Sequence, residues 1–345
     1  SEMCIRDSYG TTSPKGNNAE LRTTGWELSL TWRDSFKLGG KPFDYSIKAM
    51  VWDNRTVVTK YENATRSLGT LKGYIQNGGS PSDFYEGMEL GEMWGYTVAG
   101  LFRDQADIDS SATHDFTQAS DKVTRPGQVK IADLDHNGNI DPGAFTADDH
   151  GDLSIIGNIN PHYMFGVNLA ANWNGIGLSV FLQGVMKRDW YPSPDSGYFW
   201  GKYARPFMWV LGIHNYTDDM YSEEKNNWDT AYWPRMTTYQ SNSSYSWTKL
   251  LEIPNTRYKQ NAAYLRVKNI QLDYSFPKHI CSAIRLQGLK IYVNAENLFT
   301  FTPLHKYAPN FDPEGLSYDS DFASAADGYT YPILKSVTVG VNITF

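Results

Sequence analysis

The residues of this chain best suited to chemistry are five oxygen-bearing side chains at alternate positions, Asp133, Asp135, Asn137, Asn139 and Asp141, with Gly138 among them. Oxygen ligands converging around a glycine turn suit a hard cation, Ca²⁺ or Mg²⁺, in a structural role. The acid that closes such a loop at position twelve is absent, because Ala144 stands there; Asp148, Asp149 or Asp152 can replace it if the chain folds back. The plainer reading is a turn rich in Asx side chains whose carboxylates are solvated. A second group is aromatic: between Lys187 and Trp247 lie Trp190, Tyr198, Trp200, Trp209, Trp228 and Trp233, interleaved with Asp, Asn, Arg and Ser. Flat rings flanked by hydrogen-bonding groups suit sugar faces or peptide side chains, so these six are candidate substrate contacts. Equally, they suit a small core inside a long loop.

Catalytic constellations are missing. There is no G-x-S-x-G, H-E-x-x-H, phosphate-binding loop or dinucleotide fingerprint, and the seven histidines show no ligand spacing. Adjacent acids such as Asp218-Asp219 and Glu223-Glu224 read as solvated pairs rather than glycosidase carboxylates. The expectation is a protein that is not an enzyme.

The elements that position these residues have a period of two. Trp26, Leu28, Leu30 and Trp32 alternate with Glu27, Ser29, Thr31 and Arg33, and the run from Phe43 to Val51 repeats the pattern. So do Tyr163 to Trp173, Ile176 to Gln183, Leu289 to Glu296 and Val337 to Phe345. Tyr264 to Phe276 changes phase near Lys268-Asn269, which predicts a bulge. Trp94 to Phe102 is the weakest of these eight segments. Asn174-Gly175 predicts a two-residue hairpin turn. Strands of about ten residues with one oily and one polar face suit a transmembrane barrel, where every backbone group must pair within the protein. Aromatics at the ends of the oily runs suit the two interfacial girdles.

Connections are unequal. Asp34 to Pro42, Asn174-Gly175 and Pro277 to Gly288 are short; Arg103 to Pro161, Lys187 to Ala262 and Thr300 to Lys335 are long. Short turns on one side and long loops on the other is the asymmetry of outer-membrane barrels. Eight strands conflict with it, since placing all short turns on one side needs one strand more or fewer.

Composition agrees. The 345 residues carry 31 basic and 38 acidic side chains, a net charge of −7, and no basic block beyond Lys187-Arg188, which argues against nucleic acid as a partner. A 14% aromatic content argues against disorder. Cys4 and Cys281 match no zinc or redox spacing. No stretch approaches the ~18 apolar residues of a membrane-crossing helix, and the first residues do not read as a signal peptide. Residues 1–17 are expected to be a non-native or disordered leader, with 18–345 as the folded part.

Several motifs in order resemble the carboxyl-terminal part of SusC/RagA-type TonB-dependent outer-membrane transporters of Bacteroidetes. They are TTGWELSL (Thr23 to Leu30), GEMWGYTVAGLF (Gly91 to Phe102), PGQVKIADLDHNGNID (Pro126 to Asp141), IIGNINPHYMFGVNLAANWNGIGLSVFLQG (Ile155 to Gly184), AAYLRVKNIQLDYSFP (Ala262 to Pro277), LKIYVNAENLFTFT (Leu289 to Thr302) and the final VTVGVNITF. The resemblance implies an all-β, antiparallel transmembrane β-barrel section, about a third of a 22-stranded barrel, with long extracellular loops. It also implies uptake of a large nutrient, an oligosaccharide or peptide, across the cell outer membrane. The implied partners are a SusD-like surface lipoprotein, the TonB complex acting through a plug outside this chain, outer-membrane lipid, and the barrel-assembly machinery reading the strand that ends at Phe345. The same asparagine- and aspartate-rich loop recurs in that family. The alternative class is a soluble or surface-attached glycan-binding module, with the Asp/Asn loop as a structural calcium site.

Overall fold

A computed structural model describes residues 19–68, 84–114, 124–192, 199, 219–235, 253–316 and 333–345. Chain order is β1 (Ala19–Leu38), β2 (Lys41–Tyr61), β3 (Glu92–Tyr96), β4 (Val98–Leu101), α1 (Gln105–Asp109), β5 (Thr113–His114), β6 (Val129–Ile131), β7 (Asn139–Ile140), β8 (Leu153–Asn158), β9 (His162–Trp173), β10 (Ile176–Lys187), β11 (Asp189–Trp190), β12 (Gln260–Asn261), β13 (Tyr264–Ser275), α2 (Lys278–Ala283), β14 (Gly288–Phe301) and β15 (Ser336–Thr344). Residues 1–17 lie outside the described residues.

Seven strands form one sheet in the order β1-β2-β9-β10-β13-β14-β15, antiparallel throughout. Register carries the oily rows of all seven across one face. Leu30 lies opposite Ala49, Ile47 opposite Leu169, Leu178 opposite Leu272, and Val293 opposite Val339. Partners directly opposite share a face, so one slip of register would invert the whole set. No second layer covers this face among the described residues: Leu30 is 62% exposed, Leu272 51% and Val339 72%. An apolar surface this broad, spread over an entire sheet, is not one that water tolerates.

The opposite face carries Lys48, Asn168, Ser179, Gln271, Asn294 and Thr338 in matching rows. At the short-turn end the oily face closes in an aromatic band. Phe36, Phe43 and Tyr45 have ring centroids 5.0 to 6.3 Å apart, and Tyr274 lies 5.0 Å from Phe276. Trp173 joins them, its indole N–H donating to the Leu38 carbonyl at 3.0 Å. From Trp26 to Phe36 the strand runs roughly 34 Å, about 26 Å along a membrane normal at the usual ~40° tilt. That matches the apolar band of an outer-membrane barrel.

The turns follow from their residues. Asn174 and Gly175 have φ of +50° and +88°, and Gly39 and Gly40 +61° and +77°, the left-handed pairs that a two-residue hairpin needs. The expected bulge is present: register shifts between Val267 and Asn269 against β14, which moves the oily phase from Val267 to Ile270.

The strand count is corrected. Trp94 to Phe102 is not part of the wall; it supplies β3 and β4, which pair with β8 and β6 in separate two-stranded sheets. With seven wall strands, all three short connections fall at one end and all three long ones at the other. The parity conflict disappears.

Above the long-loop end, those connections form a packed body. β2 outruns β9, whose last pair is Trp52 with Met164, and residues 87–90 take over its free edge through Val58 N–H to Met88 C=O and Leu90 N–H to Thr56 C=O, both 2.9 Å. Asp53 ends the β2–β9 pairing by accepting from His162 Nδ1 at 2.9 Å and the Tyr163 N–H at 3.2 Å.

The two faces predict opposite mutational outcomes. In the intact protein, Val339→Arg should lower the yield of heat-modifiable, folded barrel, since a cation on the lipid face costs about 2 to 4 kcal/mol near mid-membrane. Thr338→Arg, one residue along and facing the polar side, should assemble as wild type.

Candidate functional site

The Asp/Asn loop joins β6 to β7, and both strands are fastened to the body before the loop begins. β7 pairs in parallel with β5. The buried imidazole of His114, in β5, ties that strand to β6: Nε2 accepts the Ile131 N–H and Nδ1 lies on the Ala112 carbonyl, each at 2.9 Å. Accepting at one nitrogen and donating from the other requires the neutral ring. Burial accordingly pushes its pKa down to about 4, assisted by nearby Lys130 and opposed by the Ala112 hydrogen bond.

Within the loop, successive side-chain oxygens wind the backbone. Asp133 Oδ2 accepts the Gly138 N–H (3.0 Å), Asp135 Oδ1 the Asn137 N–H (3.0 Å), Asn137 Oδ1 the Asn139 N–H (2.7 Å) and Asp141 Oδ1 the Gly143 N–H (2.7 Å). Gly138 takes φ +84°, and His136 the same left-handed region at +61°.

Of the three acids weighed for the closing position, Asp152 is the one that folds back. It is fully buried and accepts the Leu134 N–H at 2.6 Å and the Asp141 N–H at 2.9 Å, holding both ends of the loop. Burial, with Asp135 and Asp133 beside it, raises its pKa, against the two backbone hydrogen bonds that lower it. Asp148 is instead paired with Arg66 at 2.5 Å.

Asp133, Asp135 and Asp152 each bring one carboxylate oxygen within 4.8 Å of the others. The Asn137 amide nitrogen sits between Asp135 and Asp141, 3.0 Å from each. Asn139 enters the turn through its backbone N–H. Asp133 Oδ1 is buried with no hydrogen-bond partner. An orphaned carboxylate oxygen beside two further carboxylates is what a bound hard cation would satisfy, so the residues fit Ca²⁺ or Mg²⁺.

The aromatic candidates divide. Trp190 and Trp233, expected as substrate contacts, are each 2% exposed and belong to the core of the loop body. Trp190 packs 4.9 Å from Phe311 and 6.2 Å from Phe199, while Trp233 stacks on Tyr258 at 5.6 Å. Their rings offer no open face, because the long connections need an apolar centre of their own. Burial raises the phenols of Tyr96, Tyr232 and Tyr258 well above the ordinary range, so all three stay neutral. Trp228 is half-buried at the edge of this core. Tyr198, Trp200 and Trp209 lie outside the described residues.

A seven-stranded antiparallel sheet with one polar and one lipid-compatible face fits the class of an outer-membrane β-barrel section. Comparison with known proteins carries this further. The TonB-dependent receptor P3 of Formosa agariphila is 24% identical over 348 residues, covering 97% of this chain and 30% of that receptor. Receptor P26 of the same organism is 22% identical over 361 residues, with 100% and 31% covered. The RagAB peptide transporter structure matches with a TM-score of 0.58 at 16% identity, over 98% of this chain and 30% of that one. The RagAB peptide importer in its open-open state matches with a TM-score of 0.57. No family model matches the chain. The chain is therefore similar in sequence to TonB-dependent receptors and has the fold of a section of the RagAB transporter. It spans about 30% of the length of the curated relatives it matches.

The neutral His114 predicts a pH dependence. Its folded pKa, about 4, lies below the unfolded value of 6.5, so stability is fully present above pH 6.5 and is lost progressively as pH falls toward 4, by about 3 kcal/mol at most. Hydrogen exchange of β6 in the full-length receptor, corrected for the intrinsic pH effect, should quicken across that window. His114→Gln should flatten the profile.

Proposed function

We propose that this chain builds about a third of the wall of a TonB-dependent importer that carries a large hydrophilic nutrient, an oligosaccharide or a peptide, through a plugged outer-membrane barrel. The observation that supports it most is the pair of opposed faces running unbroken across seven strands, oily and exposed outward, polar inward. In this reading the polar rows line the wet passage, and the loop body receives the nutrient together with a SusD-like surface lipoprotein. Energy comes from the TonB complex through parts of the receptor outside this chain. The last strand, ending at Phe345, offers the barrel-assembly machinery an alternating edge to pair with.

Among the aromatic candidates, Trp228 is the described one that is not fully buried. The glycan-binding module gains no support from the sheet, whose oily face would have to be buried in a soluble protein. Deleting the full-length gene should abolish uptake of at least one labelled oligosaccharide or peptide pool, and deleting TonB should do the same. Trp228→Ala should weaken surface capture of that pool about tenfold. Uptake that persists without TonB would contradict the import reading.

The Asp133–Asp141 loop, with Asp152, is proposed to hold Ca²⁺ or Mg²⁺ as a structural tie. The cation would neutralise the converging carboxylates and fix the β6–β7 connection. Millimolar Ca²⁺ should raise the melting temperature of the full-length receptor and chelation should reverse it, whereas Asp133→Asn should remove the response. An unchanged melting temperature in wild type with and without chelator would contradict the tie.

A further inference from the structure

Arg266 stands on the polar face of β13, between Gln183 of β10 and Thr300 of β14 in register. It is 2% exposed. Its guanidinium forks onto two acids from the connection that follows β14: Nη2 to Asp312 Oδ1 at 2.7 Å and Nη1 to Glu314 Oε2 at 2.8 Å. Nε donates to Thr300 Oγ1 at 2.9 Å. Lys268 Nζ reaches the same Glu314 oxygen at 2.9 Å, and the Tyr264 hydroxyl donates to Glu314 Oε1 at 3.1 Å. Two cations therefore meet two carboxylates, and Asp312 is further fixed by accepting the Glu314 N–H at 2.9 Å.

A second arginine holds the same stretch by its backbone. Arg188, just past β10, donates to the carbonyls of Pro313 (3.0 Å), Leu316 (2.7 Å) and Ile159 (3.1 Å). The other side of the stretch is apolar: Leu304, Ala308, Phe311 and Leu316 are buried in the core of the loop body. Residues 302–316 thus have one side in the loop body and the other on the inner wall. The apolar side is non-directional, whereas a planar guanidinium bonded to two carboxylates admits one placement. Taking away one partner leaves the other charge buried and uncompensated, so the contact holds as a unit.

We propose that Arg266 is a positioning residue which, with Arg188, ties residues 302–316 to the inner wall and so sets the loop body over the mouth of the passage. The consequence for uptake rests on the import reading; the tie itself does not.

The test uses the full-length receptor purified in detergent and digested with trypsin, following cuts after Lys306, within the tied stretch, and after Lys225, in a different connection. Both lysines are exposed. Arg266→Gln should speed the cut after Lys306 by at least about tenfold, since cleavage needs local opening, with Lys225 cut at the wild-type rate. Arg266→Lys, which keeps the charge and loses the fork, should fall between. If Arg266→Gln does not assemble, Asp312→Asn combined with Glu314→Gln carries the same expectation. Unchanged cutting after Lys306 in a folded variant overturns the proposal, as does equal acceleration at both sites. Loss of uptake with unchanged cutting also counts against the tie and leaves the import reading standing; faster cutting after Lys306 supports the tie whatever is found for uptake.

Discussion

A strand that crosses a bilayer must hand every backbone N–H and C=O to a neighbour, and must turn one row of side chains to hydrocarbon and the next to water. Almost everything in this wall follows from those two demands. The strict period of two, the absence of a covering layer among the described residues, the left-handed hairpin turns and the aromatic band at the short-turn end are all consequences. Where the constraint stops, order of another kind begins. β2 runs on beyond β9, Asp53 ends that pairing, and residues 87–90 take up the freed edge. From there upward an ordinary hydrophobic core, built on Trp190, Trp233, Tyr258 and Phe311, holds the connections together.

The wall was legible because its solvent enforces the pattern residue by residue. Alternation located six of the seven wall strands without ambiguity, and the phase change near Lys268-Asn269 located the bulge in the seventh. Trp94 to Phe102 was misread because a short alternating run looks the same whether its partner is a barrel neighbour or a strand of the loop body. The conflict over which side each short turn occupies was the signal that it did not belong. Composition could not separate a ring in a core from a ring on a platform, and Trp190 and Trp233 proved to be the former.

Sites made of distant segments were less legible. Alternating oxygens marked Asp133 to Asp141, yet choosing Asp152 over Asp148 needed the fold, because the choice depends on which carboxylate reaches the Leu134 and Asp141 amides. Arg266 was invisible in the sequence. On a polar row it resembles any wall charge, and its acids lie more than forty residues further along the chain.

The central claim is that the oily rows touch lipid and the polar rows touch water. Nitroxide labels placed singly along 336–344 of the full-length receptor in lipid bilayers test it most directly, by comparing collisions with lipid-soluble oxygen and with a water-soluble nickel chelate. The account predicts oxygen access that peaks at 337, 339, 341 and 343 and nickel access that peaks at the residues between them. Labels at 337, 339, 341 and 343 that are immobile and shielded from both reagents would contradict it, because those side chains would then be packed against protein.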